Sequence, residues 1–143
     1  MTFNSSIWGP HYWFFLHTCA FTYPKNPNAI TKKIYYDLIQ NFSRFIPVEK
    51  VSSDFEKLLL EYPIQPYLDD KDSLITWVWF IHNKVNEKLE KPKITLEQFY
   101  NNYFDNYKSN DEKNYKKYNI IKKLVYFSVI LLLFFLIYYF YNK

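Results

Sequence analysis

The sequence predicts an all-α protein, a four-helix bundle plus a short fifth helix, followed by a C-terminal transmembrane helix. Three observations carry that expectation. Apolar residues recur at spacings of three and four through residues 1–105, the period of a helix with one buried face. No segment alternates apolar and polar residues as a half-buried strand would. Finally, LVYFSVILLLFFLIYYFY, residues 124–141, runs 18 residues without a charge. At about 1.5 Å per residue it reaches about 27 Å, enough to cross a hydrocarbon core.

Taken in order, Pro10 sits just inside a first helix, where its missing N–H costs little, and that helix runs to about Tyr23-Pro24. A second helix carries Ile30, Ile34, Leu38, Ile39, Phe42 and Phe45 on one apolar face. Pro47 opens a third, with Phe55, Leu58 and Leu59 pointing inward and Pro63 and Pro66 ending it. Asp70, Asp72 or Ser73 caps the fourth, whose stripe is Leu74, Trp77, Val78, Ile81, Val85 and Leu89. Thr95 begins the short fifth helix, TLEQFYNNYFD. From Asn106 to Lys117 the chain turns polar and charged, as a linker does, so residues 1–105, 106–123 and 124–141 are expected as folded domain, polar and basic linker, and transmembrane anchor.

Composition excludes several functions. Among 143 residues there are 15 Tyr and 14 Phe but a single Gly and a single Cys. One glycine cannot make a glycine-rich phosphate loop. One cysteine cannot close an intramolecular disulfide. His11, His17 and His82 lack the spacing and the Cys or carboxylate partners of a zinc site, so no metal is expected. The aromatic excess accompanies enrichment in Lys, Asn and Ile, as AT-rich coding produces, and is not itself a functional signal. The net charge of +4 is concentrated beside the apolar run. Its basic residues do not interleave with the aromatics of the folded part, which argues against nucleic acid as a partner.

Lys113, Lys116, Lys117, Lys122 and Lys123 precede the run and only Lys143 follows it. By the positive-inside rule the folded part lies on the cytoplasmic side of a host or virion membrane. The same lysines suit anionic membrane lipid. Met1 to Ser6 shows no basic region followed by an apolar run, so no signal peptide is expected.

Three short motifs carry chemistry. In IWGPHYWFFLHTCAFTYP, residues 7–24, the only glycine, Gly9, suggests a special backbone conformation or a close approach. Trp13 and His17 lie four apart on one face. In WVWFIHNKVNEKLEKP, residues 77–92, Trp79, His82 and Asn86 share a face flanked by Asn83, Lys88 and Lys91. Rings that stack, amides that read polar edges and lysines that neutralise phosphate suit a ligand with a ring system, hydroxyls and phosphates. A solvated helix face bearing a neutral histidine accounts for the same residues. The third motif, FIPVEKVSSDF at residues 45–55, looks like a helix-opening P-C-x-x-C redox site with valine at both sulfur positions.

Together these motifs resemble the Erv/ALR-type FAD-linked sulfhydryl oxidases. That family carries W-G-x-x-x-W-x-x-L-H, then P-C-x-x-C-x-x-D-F, then W-x-x-x-x-H-N-x-V-N-x-x-L-G-K-P. Here the three read WGPHYWFFLH, PVEKVSSDF and WVWFIHNKVNEKLEKP, in the same order across about residues 7–105. A short domain with an anchor is similar to the compact forms of large DNA viruses. The resemblance implies the bundle architecture, noncovalent FAD and a homodimer. Carried over, it implies cofactor contacts from Trp8, Gly9, Tyr12, Trp13, His17, His82, Asn83, Asn86, Lys88 and Lys91, with Trp79 and Val85 as further members. Family chemistry takes electrons from substrate thiols through the C-x-x-C to FAD and then to oxygen.

The catalytic dithiol maps onto Val48 and Val51, which have no thiolate to attack a disulfide. Cys19, in the first helix, cannot cycle alone. Glu90 stands where the family has the glycine of L-G-K-P. The resemblance therefore implies a flavoprotein with impaired disulfide-forming activity, acting as a decoy, a scaffold or a subunit beside an active copy, and binding a thiol-redox partner. An active thiol oxidase, in its native form or with a dithiol supplied by a partner, and a structural membrane protein without flavin are the alternatives.

Overall fold

A computed structural model describes residues 3–142, with the side chains of Asn110, Asp111, Lys113 and Lys116 outside the described set. Lys143 and the first two residues lie outside it too, so the expectations resting on Lys113, Lys116, Lys143 and the extreme N-terminus concern residues not described. The described residues are helical throughout, with six α-helices, three short 3-10 turns and no strand. The chain divides into two compact units, Met1–Tyr103 and Phe104–Lys143.

In the first unit, α1 (Ser5–Thr22) opens on Asn4, whose side chain accepts from the Ser6 N–H. Pro10 is therefore a full turn inside the helix rather than at its start. Gly9 immediately precedes it within α1. A residue before proline is pushed out of the helical region by a clash that involves its Cβ, and glycine has none. The special backbone role expected of Gly9 is thus helical geometry next to a proline, and its φ is not positive.

Helix α2 (Ala29–Asn41) is capped by Asn28 and followed by a 3-10 turn, Phe42–Phe45. Helix α3 (Glu49–Glu61) begins after Val48, two residues beyond the expected Pro47. Helix α4 (Lys71–Lys88) is capped by Asp70, which accepts from the Ser73 N–H at 2.8 Å. Helix α5 (Leu96–Phe104) follows a reciprocal box in which Thr95 and Gln98 each accept from the other's backbone N–H, satisfying two N-terminal donors together.

The core joins Leu16, Ala20 and Phe21 of α1 to Ile39, to Phe55 and Leu59 of α3, to Leu74, Ile75, Trp77, Val78 and Ile81 of α4, and to Phe99 and Tyr103 of α5. Buried polar ties set the register. The Tyr23 hydroxyl donates to the Leu68 carbonyl at 2.8 Å, and the Trp77 indole to the Tyr62 carbonyl at 3.1 Å. Two expected apolar faces are only partly used. Ile30, Ile34 and Phe45 are exposed, as is Leu89 at the end of the α4 stripe.

In the second unit, α6 (Asn110–Tyr141) is one continuous helix. The stretch expected as a polar linker is therefore helical from Asn110 onward. Its segment Lys117–Tyr141 is long and apolar enough to cross a membrane, and none of it is buried within the protein.

Candidate functional site

Helices α1 and α4 pack together and bring three of the expected residues into one cluster. The Trp13 indole stacks on the His82 imidazole, with centroids 4.1 Å apart and planes at 13°. His17, one turn along α1, places Nε2 3.2 Å from Nδ1 of His82. One nitrogen of that pair carries the proton and the other accepts it. Phe99 of α5 packs on His17 at 4.3 Å between centroids.

Burial dictates the charge state of the pair. Desolvation, followed by the neighbouring His82, lowers the His17 pKa from 6.5 to about 3. Desolvation, followed by the charge of Lys91, lowers that of His82 from 6.5 to about 4. Both imidazoles are neutral at physiological pH, because neither can charge without losing hydration. A neutral imidazole stacked on an indole is a flat, polarisable wall rather than an acid.

Further toward the N-terminus of α1, Trp8 meets Tyr12 edge-on at 5.1 Å, and the Tyr12 hydroxyl donates to the Phe45 carbonyl at 2.7 Å. The Trp8 Nε1 is buried with no hydrogen-bond partner. A Cβ at Gly9 would meet nothing within 4 Å, so open space lies beside this turn of α1. Asn86 is 8% exposed, and its side chain makes no hydrogen bond to the described residues. An unspent buried donor such as the Trp8 N–H is costly unless something fills it.

Two expected site residues have other work. The Trp79 indole and the Asn83 amide both donate to the Ile94 carbonyl, at 2.8 and 2.9 Å, and the Asn83 oxygen accepts from the Ile94 N–H at 2.9 Å. Their hydrogen-bonding atoms therefore clamp the segment after α4 onto that helix. Val85 is half-buried against the core.

The same segment leaves α4 through a left-handed turn. The Lys91 N–H bonds the Asn86 carbonyl at 2.8 Å and the Glu90 N–H bonds the Glu87 carbonyl at 3.2 Å, the two bonds of a Schellman cap. Glu90 sits at φ 54°, the one positive φ among the described residues. Lys88 and Lys91 are exposed and free of ion pairs among the described residues, whereas Lys84 and Lys93 are both paired with Glu87.

Val48 is the N-cap residue of α3, extended and with no side-chain cap, and Val51 lies three residues on in the first turn; both are half-buried. A thiol there would feel the positive end of the helix, which favours thiolate. Valine offers neither charge nor cap. Ser52 ties this turn to the chain before it, its hydroxyl donating to the Ser43 carbonyl at 2.8 Å. Cys19 is half-buried with its thiol pKa pushed up, mainly by burial, the opposite of an activated cysteine.

Sequence reasoning missed Phe99 and Tyr103, which close the cluster from α5. Tyr103 donates to the Thr18 hydroxyl at 3.0 Å. Their four-residue spacing in α5 was the available signal.

A helical bundle holding a histidine pair against a stacked indole defines the class. The family model described as Erv1 / Alr family matches residues 10–105, and the chain belongs to that family. The mitochondrial FAD-linked sulfhydryl oxidase erv1 of Schizosaccharomyces pombe is 36% identical over 80 residues, which is 56% of this chain and 44% of that protein. An African swine fever virus FAD-linked sulfhydryl oxidase is 28% identical over 96 residues, 67% of this chain and 79% of the viral one. The crystal structure of the yeast Erv1 core superposes with a TM-score of 0.66 at 30% identity, covering 73% of this chain and 87% of that one. The crystal structure of the FAD binding domain of Erv1 from Saccharomyces cerevisiae gives 0.66 at 30%, covering 73% and 97%. The match spans less than half the length of three fungal relatives: 44% of that Schizosaccharomyces pombe protein, 42% of the mitochondrial FAD-linked sulfhydryl oxidase ERV1 of Saccharomyces cerevisiae and 47% of the FAD-linked sulfhydryl oxidase erv2 of S. pombe.

Proposed function

We propose that this chain is a membrane-anchored FAD-binding protein of the sulfhydryl oxidase family whose own thiol oxidation is lost or severely impaired. The observation that carries the reading is a contrast. Trp13, His17 and His82 form an aromatic, neutral cluster, and the helix of Trp13 and His17 also carries the unsatisfied Trp8 N–H, while Val48 and Val51 occupy the helix start where a dithiol belongs. The orphaned Trp8 N–H and the open space beside Gly9 fit a flat heteroaromatic cofactor with hydrogen-bonding edges. The unpaired Lys88 and Lys91 suit its phosphates.

When bound, FAD supplies a two-electron acceptor for thiols that returns electrons to oxygen. This chain's own residues bind and orient it: the Trp13–His82 stack forms a wall, the neutral histidines add no competing charge, and the Trp79–Asn83 clamp holds the lysine-bearing segment. No residue at positions 48 and 51 can open a disulfide. A second copy is the proposed partner. A groove lined by His11, Tyr12, Phe15, Leu38, Phe42 and Phe45 is almost wholly apolar, and Ile30 and Ile34 are exposed on the same helix as Leu38. A thiol-redox protein is the other proposed partner. Helix α6 is proposed to span the membrane with the folded unit on the cytoplasmic side.

One preparation tests this. The full chain purified in mild detergent is expected to be yellow and to consume little oxygen with a dithiol substrate. Val48→Cys together with Val51→Cys is expected to restore turnover. A colourless protein overturns the flavin reading; rapid oxidation by the unaltered chain overturns the impairment. Protection of the folded unit from protease in sealed microsomes overturns the orientation.

A further inference from the structure

The three described lysines at the mouth of the apolar segment, Lys117, Lys122 and Lys123, do not line up along the helix. An α-helix advances about 100° per residue, which puts Lys122 about 140° and Lys123 about 240° around the axis from Lys117. That spacing divides the circumference into three nearly equal parts. A helix lying flat on a membrane surface gathers its cations on one face opposite an apolar face. Here the apolar residues Leu124–Tyr141 are exposed on every side, and the cations ring the helix just before them. A ring above an all-round apolar segment fits a helix standing through the bilayer with its charges at headgroup depth.

The local chemistry is unbalanced in the same place. No acidic residue follows Glu112 in the chain, and none of the three lysines makes an ion pair among the described residues. The Lys122 ammonium lies 5.8 Å over the ring of Tyr126, one turn on and within the first turn of the apolar segment. A lysine stem laid along apolar surface with its charge beside an interfacial ring is the arrangement of a headgroup-level anchor.

We propose that Lys117, Lys122 and Lys123 form a cationic collar that recruits anionic phospholipid headgroups in the leaflet entered by the N-terminal end of α6. The proposal rests on the membrane-spanning reading above and adds which lipids surround the helix. A collar collects such lipids on all sides, so it sets the composition of a whole annulus rather than one contact.

The test reconstitutes the full chain in vesicles of phosphatidylcholine with a minor fraction of phosphatidylserine, then excises it with its surrounding lipids in polymer-bounded discs for lipid mass spectrometry. The expected result is phosphatidylserine enriched on the order of fivefold over the bulk. The enrichment is expected to disappear in the triple variant Lys117→Gln, Lys122→Gln, Lys123→Gln. Bulk composition around the unaltered chain, or undiminished enrichment around the variant, overturns the collar. Alkaline carbonate extraction separates the two readings. A chain that washes off has failed the spanning reading. A chain that resists the wash with a bulk-like annulus has failed this proposal alone.

Discussion

Replacing Glu90 by glycine is expected to stabilise the helical unit by about 1 kcal/mol. Glu90 occupies φ 54° at the end of α4, where an L-residue's Cβ crowds the backbone at a cost of about 1–2 kcal/mol. Glycine removes that cost but gives the unfolded chain more freedom, which takes back roughly 0.4–1 kcal/mol. Nothing else is lost, because the Glu90 side chain is exposed and makes no ion pair among the described residues. Both bonds of the cap come from backbone N–H groups and survive the change. For a unit of this size 1 kcal/mol corresponds to roughly 4–8 °C in Tm. Thermal unfolding by circular dichroism, on the full chain in mild detergent, reads it directly. Glu90→Ala is the control, since alanine keeps the Cβ. An equal gain from alanine, or no gain from glycine, refutes the assignment of strain to this position.

Four further outcomes follow from the same geometry. Asn83→Leu leaves the Ile94 N–H without its side-chain acceptor and is expected to cost about 2 kcal/mol in urea unfolding. Trp79→Phe is expected to cost less, because Asn83 still bonds the Ile94 carbonyl. Gly9→Ala is expected to destabilise the unaltered chain yet stabilise a Pro10→Ala background by about 0.5–1 kcal/mol, so a double-mutant cycle of melting curves should show strong coupling. The histidine pair makes the unit acid-sensitive. Because His17 and His82 have pKa values lowered from 6.5 to about 3 and about 4, the unfolded chain binds protons first. Stability is held above pH 6.5 and lost progressively as pH falls toward 4. The urea midpoint followed from pH 7 to pH 4.5 checks this, and His82→Gln should flatten the slope.

Much of this was legible in the sequence, and the limits have physical causes. Periodicity located α2, α3 and α4, since burying one face is what creates the period, and Asp70 and Thr95 announced the starts of α4 and α5. The meeting of Trp13, His17 and His82 was legible only through motif resemblance. Spacing placed each pair on a helix face but not the two faces together. The bonds of Trp79 and Asn83 to Ile94 were not legible, because their partner is a backbone group, which no side-chain pattern reveals. Ile30, Ile34 and Phe45 were read as core because an apolar stripe records that something covers it, and not whether that cover is the same chain. Glu90 was flagged by a missing glycine, and its positive φ supplies the reason glycine suits the place.

The length of the uncharged segment in α6 carries a consequence for address rather than for attachment. Eighteen residues, Leu124–Tyr141, rise about 27 Å. That equals the hydrocarbon thickness of an endoplasmic-reticulum-type bilayer, about 27 Å, and falls about 5 Å short of a sterol-rich plasma membrane. In the thicker membrane either the bilayer must thin around the helix or Lys122 and Lys123 must be drawn inward. Each ångström of mismatch carries a small penalty, and those penalties bias a freely diffusing protein toward thin membranes. On the proposed spanning reading, helix length alone would act as a sorting signal, set by where the lysines stop and the tyrosines end.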